Sequence, residues 1–439
     1  MPGSQFPPEF LWGVSTSAFQ IEGATTEGGR GQSIWDTFTA LPGKIAAGEH
    51  AEIAADHYHR YPEDVALMRE LGVAAYRMSF AWPRIQPAGS GAPNKQGLDF
   101  YDRLIDEVCA AGIAPVGTLY HWDLPQPLED SGGWLARETA HRFAEYAAIL
   151  GERFADRIGM WIPINEPMVT SIYGYAIGEY APGKALLLDA IPTAHYQNLA
   201  HGLAVHALRV AGARRIGTAN NHGPVWPVSD SAADHEAARQ LDALINRLYA
   251  DPVLLGSYPA ELAAHLPDNY PADLPTIAAP LDFYGVNYYE PQAAAAPGED
   301  NPLPFELRPV TGYPMTGNDS PIVPDAFHEL LVEMRQRYAD ALPPIYITEN
   351  GCGLADELAA DGAVHDKARI GFLTEHLNAL AAAMADGVDV RGYFVWSLMD
   401  NFEWSKGYGP RFGLVHVDYA TQRRTRKDSF TWFRDYMHG

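Results

Sequence analysis

Two glutamates stand directly after short apolar runs. Glu166 follows MWIPIN at 160–165, and Glu349 follows PIYIT at 344–348. Cleavage of a glycosidic bond needs two such carboxyls, one protonated and one ionised. The other apolar runs lead to residues of matching chemistry. After the first come Gln20 and Glu22; the second contains Arg77, and the third leads to His121 and Trp122. Asn165 precedes Glu166, and the fifth run gives Asn220, Asn221 and His222. Asn287 and Tyr289 mark the sixth, Asn350 accompanies Glu349, and Trp396 closes the eighth ahead of Glu403 and Trp404. Amide, carboxylate and imidazole groups can serve as bidentate partners of sugar hydroxyls, while Trp and Tyr offer flat apolar faces to a pyranose. Neither a nucleophilic serine nor a cysteine arrangement accompanies them, and no GxSxG, HExxH or GxxxxGK[ST] occurs. His57 and His59, spaced i and i+2, point apart on a helix, so no metal site is expected there.

The elements that must position these residues are eight short runs: 10–15, 74–80, 113–119, 160–165, 216–221, 282–288, 344–348 and 391–397. Helical patterns separate them. Pro62, Glu63 and Asp64 suit a first helical turn, and Gly72 suits the left-handed end of that helix. Leu98, Tyr101, Leu104, Ile105 and Val108 share one face of a second helix; Ile370, Leu373, Leu377, Leu380 and Met384 share one face of another. Strand and helix alternate to the end of the chain without a polar linker. This predicts parallel strands with helical crossovers, and eight of them favour a closed (β/α)8 barrel forming a single domain over 1–439. An open doubly wound sheet is the rival, but no GxGxxG follows the first strand. Catalytic groups in a barrel sit at the C-terminal strand ends, where this inventory falls. Two irregular stretches interrupt the pattern. Residues 30–55 follow the first strand; residues 291–325, rich in Pro, Gly, Asp and Asn, have the length of a lid or binding rim.

The net charge of −24, from 55 acids against 31 bases, argues against nucleic acid and an anionic membrane surface as partners. Two cysteines, Cys109 and Cys352, make neither a disulfide framework nor a zinc site. The start, MPGSQFPPEF, lacks the basic and apolar regions of a signal peptide, and no apolar stretch is long enough to span a bilayer. A cytoplasmic protein is the expectation, with a small-molecule partner.

Several separated motifs are similar to those of the family 1 glycoside hydrolases, the β-glucosidase-type family. They run in order from FLWGVSTSAFQIEGA at 10–24 through YRMSFAWPRI at 76–85 and LYHWDLPQ at 119–126 to NEP at 165–167. VNYY at 286–289, ITENG at 347–351 and GYFVWSLMDNFEWSKGYGPRFGLVHVDY at 392–419 complete the set. The resemblance implies a (β/α)8 barrel and a retaining β-glycosidase that removes terminal β-D-glucosyl residues. It implies Glu166 as acid/base and Glu349 as nucleophile, with Arg77, Asn287 and Tyr289 beside the nucleophile. Asn165 matches the partner of the sugar 2-hydroxyl. Gln20, His121, Glu403 and Trp404 match residues gripping the other hydroxyls, and Trp396 matches the platform beneath the sugar. Trp122 and Phe412, in the same motifs, join the substrate-binding set. The retained Glu403 implies an unphosphorylated sugar, since its charge repels a 6-phosphate. Departures such as PINEP and YRMSFAW are packing variants. No metal or organic cofactor is implied. A non-catalytic sugar-binding barrel, a transglycosylase and activity on galactosides or fucosides remain the alternatives.

The implied mechanism is double displacement. Its retaining geometry requires carboxyls about 5–5.5 Å apart. Arg77 and Tyr289 are expected to hold Glu349 ionised, and that charge to raise the pKa of Glu166.

Overall fold

A computed structural model describes residues 5–439; the first four residues of the stretch read for a leader lie outside it. Each of the eight runs is a strand: β1 Leu11–Ser15, β2 Ala75–Ser79, β3 Ala114–Tyr120, β4 Met160–Ile164, β5 Gly217–Asn221, β6 Phe283–Asn287, β7 Ile345–Asn350 and β8 Val390–Trp396. All are parallel, in the order β4-β3-β2-β1-β8-β7-β6-β5. The two outer strands meet at a seam. Trp161 pairs with Ile216 and Asn165 with Ala219, and the Trp161 N–H donates to the Arg215 carbonyl at 2.8 Å. The sheet is thereby closed into the expected barrel.

Burial explains the composition of the strands. β2, β4 and β6 are buried at every position, because one face meets helices and the other the barrel interior. The lower interior is filled by Ala75, Val116, Met160, Ile162, Ala219, Phe283, Tyr346 and Phe394, drawn from seven of the strands. Two residues further along their strands the apolar filling gives way to Arg77, Thr118 and Thr348. The barrel is therefore plugged by packing below and polar above, where the strand ends open.

The helices follow their apolar stripes. Lys95–Ala110 buries Tyr101, Leu104, Ile105 and Val108, and Lys367–Ala385 buries Leu373, Leu377 and Leu380. One expected boundary is corrected. The helix assigned a start at Pro62 runs from His57 to Leu71, with Pro62 more than a turn inside it. Tertiary pairing holds the extra turn: buried His57 bonds Asp64 at 2.7 Å, and Asp64 also accepts from Arg424 at 2.9 Å. The other end is as expected, with Gly72 at φ 80° and its N–H on the Met68 carbonyl at 3.0 Å.

The two irregular stretches are ordered. Ile34–Thr39 is a helix capped reciprocally by Ser33 and Asp36. Within 291–325, Gln292–Ala295 and Glu306–Arg308 pair antiparallel, and Gln292–Ala295 also pairs with Val225–Pro227 in a small sheet above the barrel. Cys109 and Cys352 are free thiols. Among the described residues no helix is long and apolar enough to cross a membrane.

Candidate active site

Glu166 lies two residues beyond β4 and starts the short helix Pro167–Val169 with a left-handed backbone, φ 44° and ψ 65°. The barrel seam fixes it there, because its N–H donates to the Ala219 carbonyl of β5 at 2.8 Å. Glu349 is inside β7, and simple alternation would point it away from the side to which Tyr346 and Thr348 belong. The register with β6 shifts between Ile347 and Glu349. Such an irregularity re-aims a side chain, and both Thr348 and Glu349 bond within the barrel mouth.

One hydrogen-bonded circuit joins the two carboxyls. Glu349 accepts from Arg77 at 2.5 Å on Oε1 and from the Tyr289 hydroxyl at 2.7 Å on Oε2. The same guanidinium donates to Asn165 Oδ1 at 2.5 Å. Asn287 Nδ2 donates to Asn165 Oδ1 at 3.1 Å and to Glu166 Oε1 at 2.8 Å. Asn221 reaches Glu166 Oε1 at 3.4 Å. Both glutamates are 3% exposed, so their charges are governed by burial and by each other. Burial first, and then the charge on Glu349, push Glu166 up to about 8. Burial also raises Glu349, but Arg77, Tyr289 and Asn287 oppose it. The bonds from Arg77 and Tyr289 thus favour the ionised form of Glu349, whereas burial and the neighbouring charge favour the protonated form of Glu166.

The sugar-sized end of the cleft is built by β1, β3 and β8. His121, Trp122, Trp396, Glu403, Trp404 and Phe412 line the same cleft of about 310 Å3 as Glu166, Tyr289 and Glu349. His121 is parallel to Trp396, with centroids 5.7 Å apart, and to Trp404 at 6.0 Å. Burial and the charge of Arg77 keep His121 neutral, well below its usual range. Its Nε2 faces the Asn165 amide at 3.3 Å, while Nδ1 has no protein partner; an imidazole accepting at Nε2 carries its proton on Nδ1. Gln20 lies beneath Glu403 and donates to it at 3.4 Å. Burial and the charge of Glu349 push Glu403 up to about 8, with Gln20 opposing. Gln20, Arg77, Asn165 and Asn287 thus form the layer behind the lining and are almost fully buried. Trp122 and Trp404 share the left-handed backbone of Glu166, with φ 74° and 50°. Non-glycine residues are uncommon there, and such strain clusters at functional sites.

Backbone packing sets the loops. A Cβ on Gly351 would lie 1.8 Å from the Trp396 carbonyl, so the chain just past Glu349 touches the chain at Trp396 without a side chain between them. Below the β8 loop lies a buried ion cluster. Lys427 bonds Asp356 at 2.5 Å and Asp400 at 2.7 Å, Arg411 bonds Asp400 at 2.6 Å, and Arg369 bonds Asp366 at 2.9 Å and also Asp356.

Gln20, Arg77, His121, Trp122, Asn165, Glu166, Asn287, Tyr289, Glu349, Trp396, Glu403, Trp404 and Phe412 thus fall in one cleft or directly behind it, whereas some other strand-end candidates do not. Asn221 was visible only as one member of an NNH run. Asn220 and His222 turn away, both bonding Tyr284 at 2.8 Å, and Glu22 pairs with Arg84 at 2.9 Å away from the cleft. The apolar wall contributed by Met168, Ile172, Ile191, Leu244 and Leu248 escaped sequence reasoning, because each residue looks like ordinary helix packing. Among the described residues no cluster of three or more His, Cys, Asp or Glu is placed to hold a metal ion.

Known proteins resemble the chain over nearly its whole length. The family model described as "Glycosyl hydrolase family 1" matches residues 3–438. The chain is 42% identical to β-glucosidase A of Thermotoga maritima, covering 99% of this chain and 98% of that protein. It is 47% identical to thermostable β-glucosidase B of Thermobispora bispora, covering 98% and 90%. A psychrophilic β-glucosidase structure from Micrococcus antarcticus superposes with a TM-score of 0.94 at 45% identity, over 99% and 97% of the two chains. The barrel, the two glutamates at its strand ends and the length of these matches lead to one conclusion: the chain belongs to glycosyl hydrolase family 1.

Proposed function

We propose that the protein is a retaining β-glucosidase, one catalytic unit over 1–439, that hydrolyses terminal non-reducing β-D-glucosyl residues. The observation that carries this reading is the pair of buried glutamates in opposite surroundings, one braced by a cation and a phenol, the other only by amides. Glu166 enters protonated and donates to the leaving oxygen. Glu349 attacks the anomeric carbon and forms a glycosyl-enzyme. The negative charge that raised Glu166 is then gone, so Glu166 ionises more readily and activates the water that releases glucose. The role requires the two carboxyls at the separation of retaining enzymes, and both line the same cleft.

Asn165 is assigned to the 2-hydroxyl. Gln20, His121, Glu403 and Trp404 take the other hydroxyls, and Trp396 takes the sugar face, with Trp122 and Phe412 completing the wall. The Nδ1 proton of His121, which lacks a protein partner, suits a hydroxyl acceptor. No Lys or Arg lines the cleft among the described residues, which supports an unphosphorylated sugar, because a phosphate dianion would have no cation.

Proton NMR of 4-nitrophenyl β-D-glucoside turnover tests the reading. Early accumulation of β-glucose is expected; early α-glucose refutes retention. A Bifidobacterium breve relative, 41% identical, is named a bifunctional β-D-glucosidase/β-D-fucosidase, so 4-nitrophenyl β-D-fucoside belongs in the same assay. Product partition with an added alcohol acceptor separates hydrolysis from transfer.

A further inference from the structure

The amide of Asn287 has two ends, and the site depends on which one faces Glu166. Nδ2 donates to Asn165 Oδ1 at 3.1 Å and to Glu166 Oε1 at 2.8 Å. Arg77 makes that assignment. A guanidinium can only donate, so the Asn165 atom that meets Arg77 at 2.5 Å is the oxygen. The Asn287 atom facing that oxygen is therefore the nitrogen, and the far end of the amide is the carbonyl oxygen Oδ1. It accepts from the Thr348 hydroxyl at 2.6 Å. No other donor reaches Oδ1 among the described residues. Arg77, acting through Asn165, thus fixes the donor end of the amide, and Thr348 fixes the acceptor end.

The strands make room for this bond. Thr348 lies at the register shift of β7 against β6, between Ile347 and Glu349. A Cβ on Gly285, two residues before Asn287 on β6, would lie 2.9 Å from both Cγ2 and Oγ1 of Thr348, so the bare glycine leaves the threonine its place. Thr348 and Asn287 are both buried, and no bulk water competes for Oδ1. The other bonds to Thr348 use its carbonyl, which accepts from Ser15 at 3.0 Å and from Arg77 at 3.1 Å. The hydroxyl can therefore be removed while Arg77 keeps its hold on the backbone.

Glu166 must act first protonated and then ionised. A donor at Oε1 favours the ionised form, and Asn287 opposes the rise that burial and Glu349 cause. A reversed amide would present Oδ1 instead, which accepts the acid proton and favours the protonated form. The terminal torsion of an asparagine is broad, so hydrogen bonds decide which end faces the acid. The charged groups facing Glu166 are Glu349 from β7 and Arg77 from β2; Asn221 from β5 and the phenols of Tyr173, Tyr180 and Tyr289 are the neutral ones beside Asn287.

We infer that Thr348 is a positioning residue, whose hydroxyl holds the acceptor end of Asn287 away from Glu166 so that the acid/base meets a donor. The inference rests on the β-glucosidase reading above and adds a residue to its machinery. Thr348→Ser and Thr348→Ala differ by the hydroxyl alone. For each, kcat/KM for 4-nitrophenyl β-D-glucoside is measured across the pH range, with a thermal melt. On the alkaline side kcat/KM falls as Glu166 loses its proton. The serine variant should keep the parent's alkaline limb. The alanine variant should move it to higher pH by at least about 0.5 unit, because weakening a bond to the ionised form raises a carboxyl pKa. In an Asn287→Ala background, Thr348→Ala should add no further shift, since a residue that acts through Asn287 then has nothing to act on. Thr348→Val also lacks the hydroxyl, keeps the branched shape, and replaces an alanine variant that does not fold.

An alkaline limb that stays in place in the folded variants without the hydroxyl overturns the inference. Equal shifts in the serine and alanine variants overturn it too, because they trace the effect to the lost methyl group. A further shift in the Asn287→Ala background overturns the route through Asn287. Each of these results leaves the β-glucosidase reading standing. A parent chain that turns over no glucoside overturns that reading and this inference with it.

Discussion

Tyr289→Phe removes one hydroxyl and little else. That hydroxyl donates to Glu349 Oε2 at 2.7 Å, while Arg77 holds the other oxygen at 2.5 Å. The bond favours the ionised carboxyl, so its loss raises the pKa of Glu349. A hydrogen bond to a charged group is worth about 1.5–3 kcal/mol, and one pKa unit corresponds to about 1.4 kcal/mol. The expected rise is therefore about 1–2 units. Glu349 must be ionised to attack, so activity falls as pH drops through this pKa, and the acid limb should move to higher pH by that amount. The alkaline limb belongs to Glu166. The charge on Glu349 that raises Glu166 is still present at alkaline pH, so this limb should stay in place. The assay is kcat/KM for 4-nitrophenyl β-D-glucoside across the pH range, which reports the free enzyme, with a thermal melt to confirm folding. Loss of a contact between Tyr289 and the sugar would lower the plateau without moving either limb. An acid limb within about 0.3 unit of the parent, or a shift confined to the alkaline limb, refutes the bracing role.

Glu166→Gln is expected to abolish the alkaline limb near the value of about 8 that burial and Glu349 impose, and to spare glycosylation by substrates with highly acidic leaving groups; a persisting limb would assign it elsewhere. Glu349→Gly should stop hydrolysis yet still transfer glucose from α-glucosyl fluoride to an acceptor, and a folded variant that fails to do so argues against Glu349 as nucleophile. Asn165→Ala should lower kcat by about 10²–10³, the effect of losing one donor to a transition state, and an unchanged kcat with a raised KM contradicts the 2-hydroxyl assignment. Lys427→Met leaves the carboxylates of Asp356 and Asp400 without a shared cation; removing one partner of a buried ion pair costs about 3–5 kcal/mol, so denaturant unfolding that shows no loss would dismiss the cluster as a stabilising element.

Much of this architecture was legible because two periodicities alternate along the chain. Eight apolar runs and the glycine-terminated helices between them suffice for a barrel, and the strand-end rule then collects Glu166, Glu349, His121 and Trp396 at one rim. The start of the first long helix was missed at Pro62, since the buried His57–Asp64 pair that sustains the earlier turn is anchored by Arg424, a tertiary contact. Strand Gln292–Ala295 was invisible for a related reason. QAAA has little intrinsic preference for extended structure and forms as the middle strand of a small sheet. At the site, residue types pointed to the carboxylates, but not to the irregularity in β7 that turns Glu349 inward. The circuit from Glu349 through Arg77, Asn165 and Asn287 to Glu166 joins four strand ends, and no local pattern encodes it.

β1 has β2 on one side and β8 on the other, and Leu11 is in register with Gly392. Gln20 likewise finds Asn401, Phe402 and Glu403 nearly a whole chain away. During synthesis, then, β1 waits for β8. Until β8 emerges, β1 and β7 present unpaired edges, and such edges invite pairing with other chains. Nascent chains stalled just before Val390 should remain open to protease and unable to bind sugar, whereas a chain extruded through its final helix, Asp428–His438, should resist cleavage. Resistance already established before Val390 would show that seven strands hold together unaided. The sugar pocket is thus also a measure of barrel closure, since Gln20 and Glu403 meet only once β8 has joined β1.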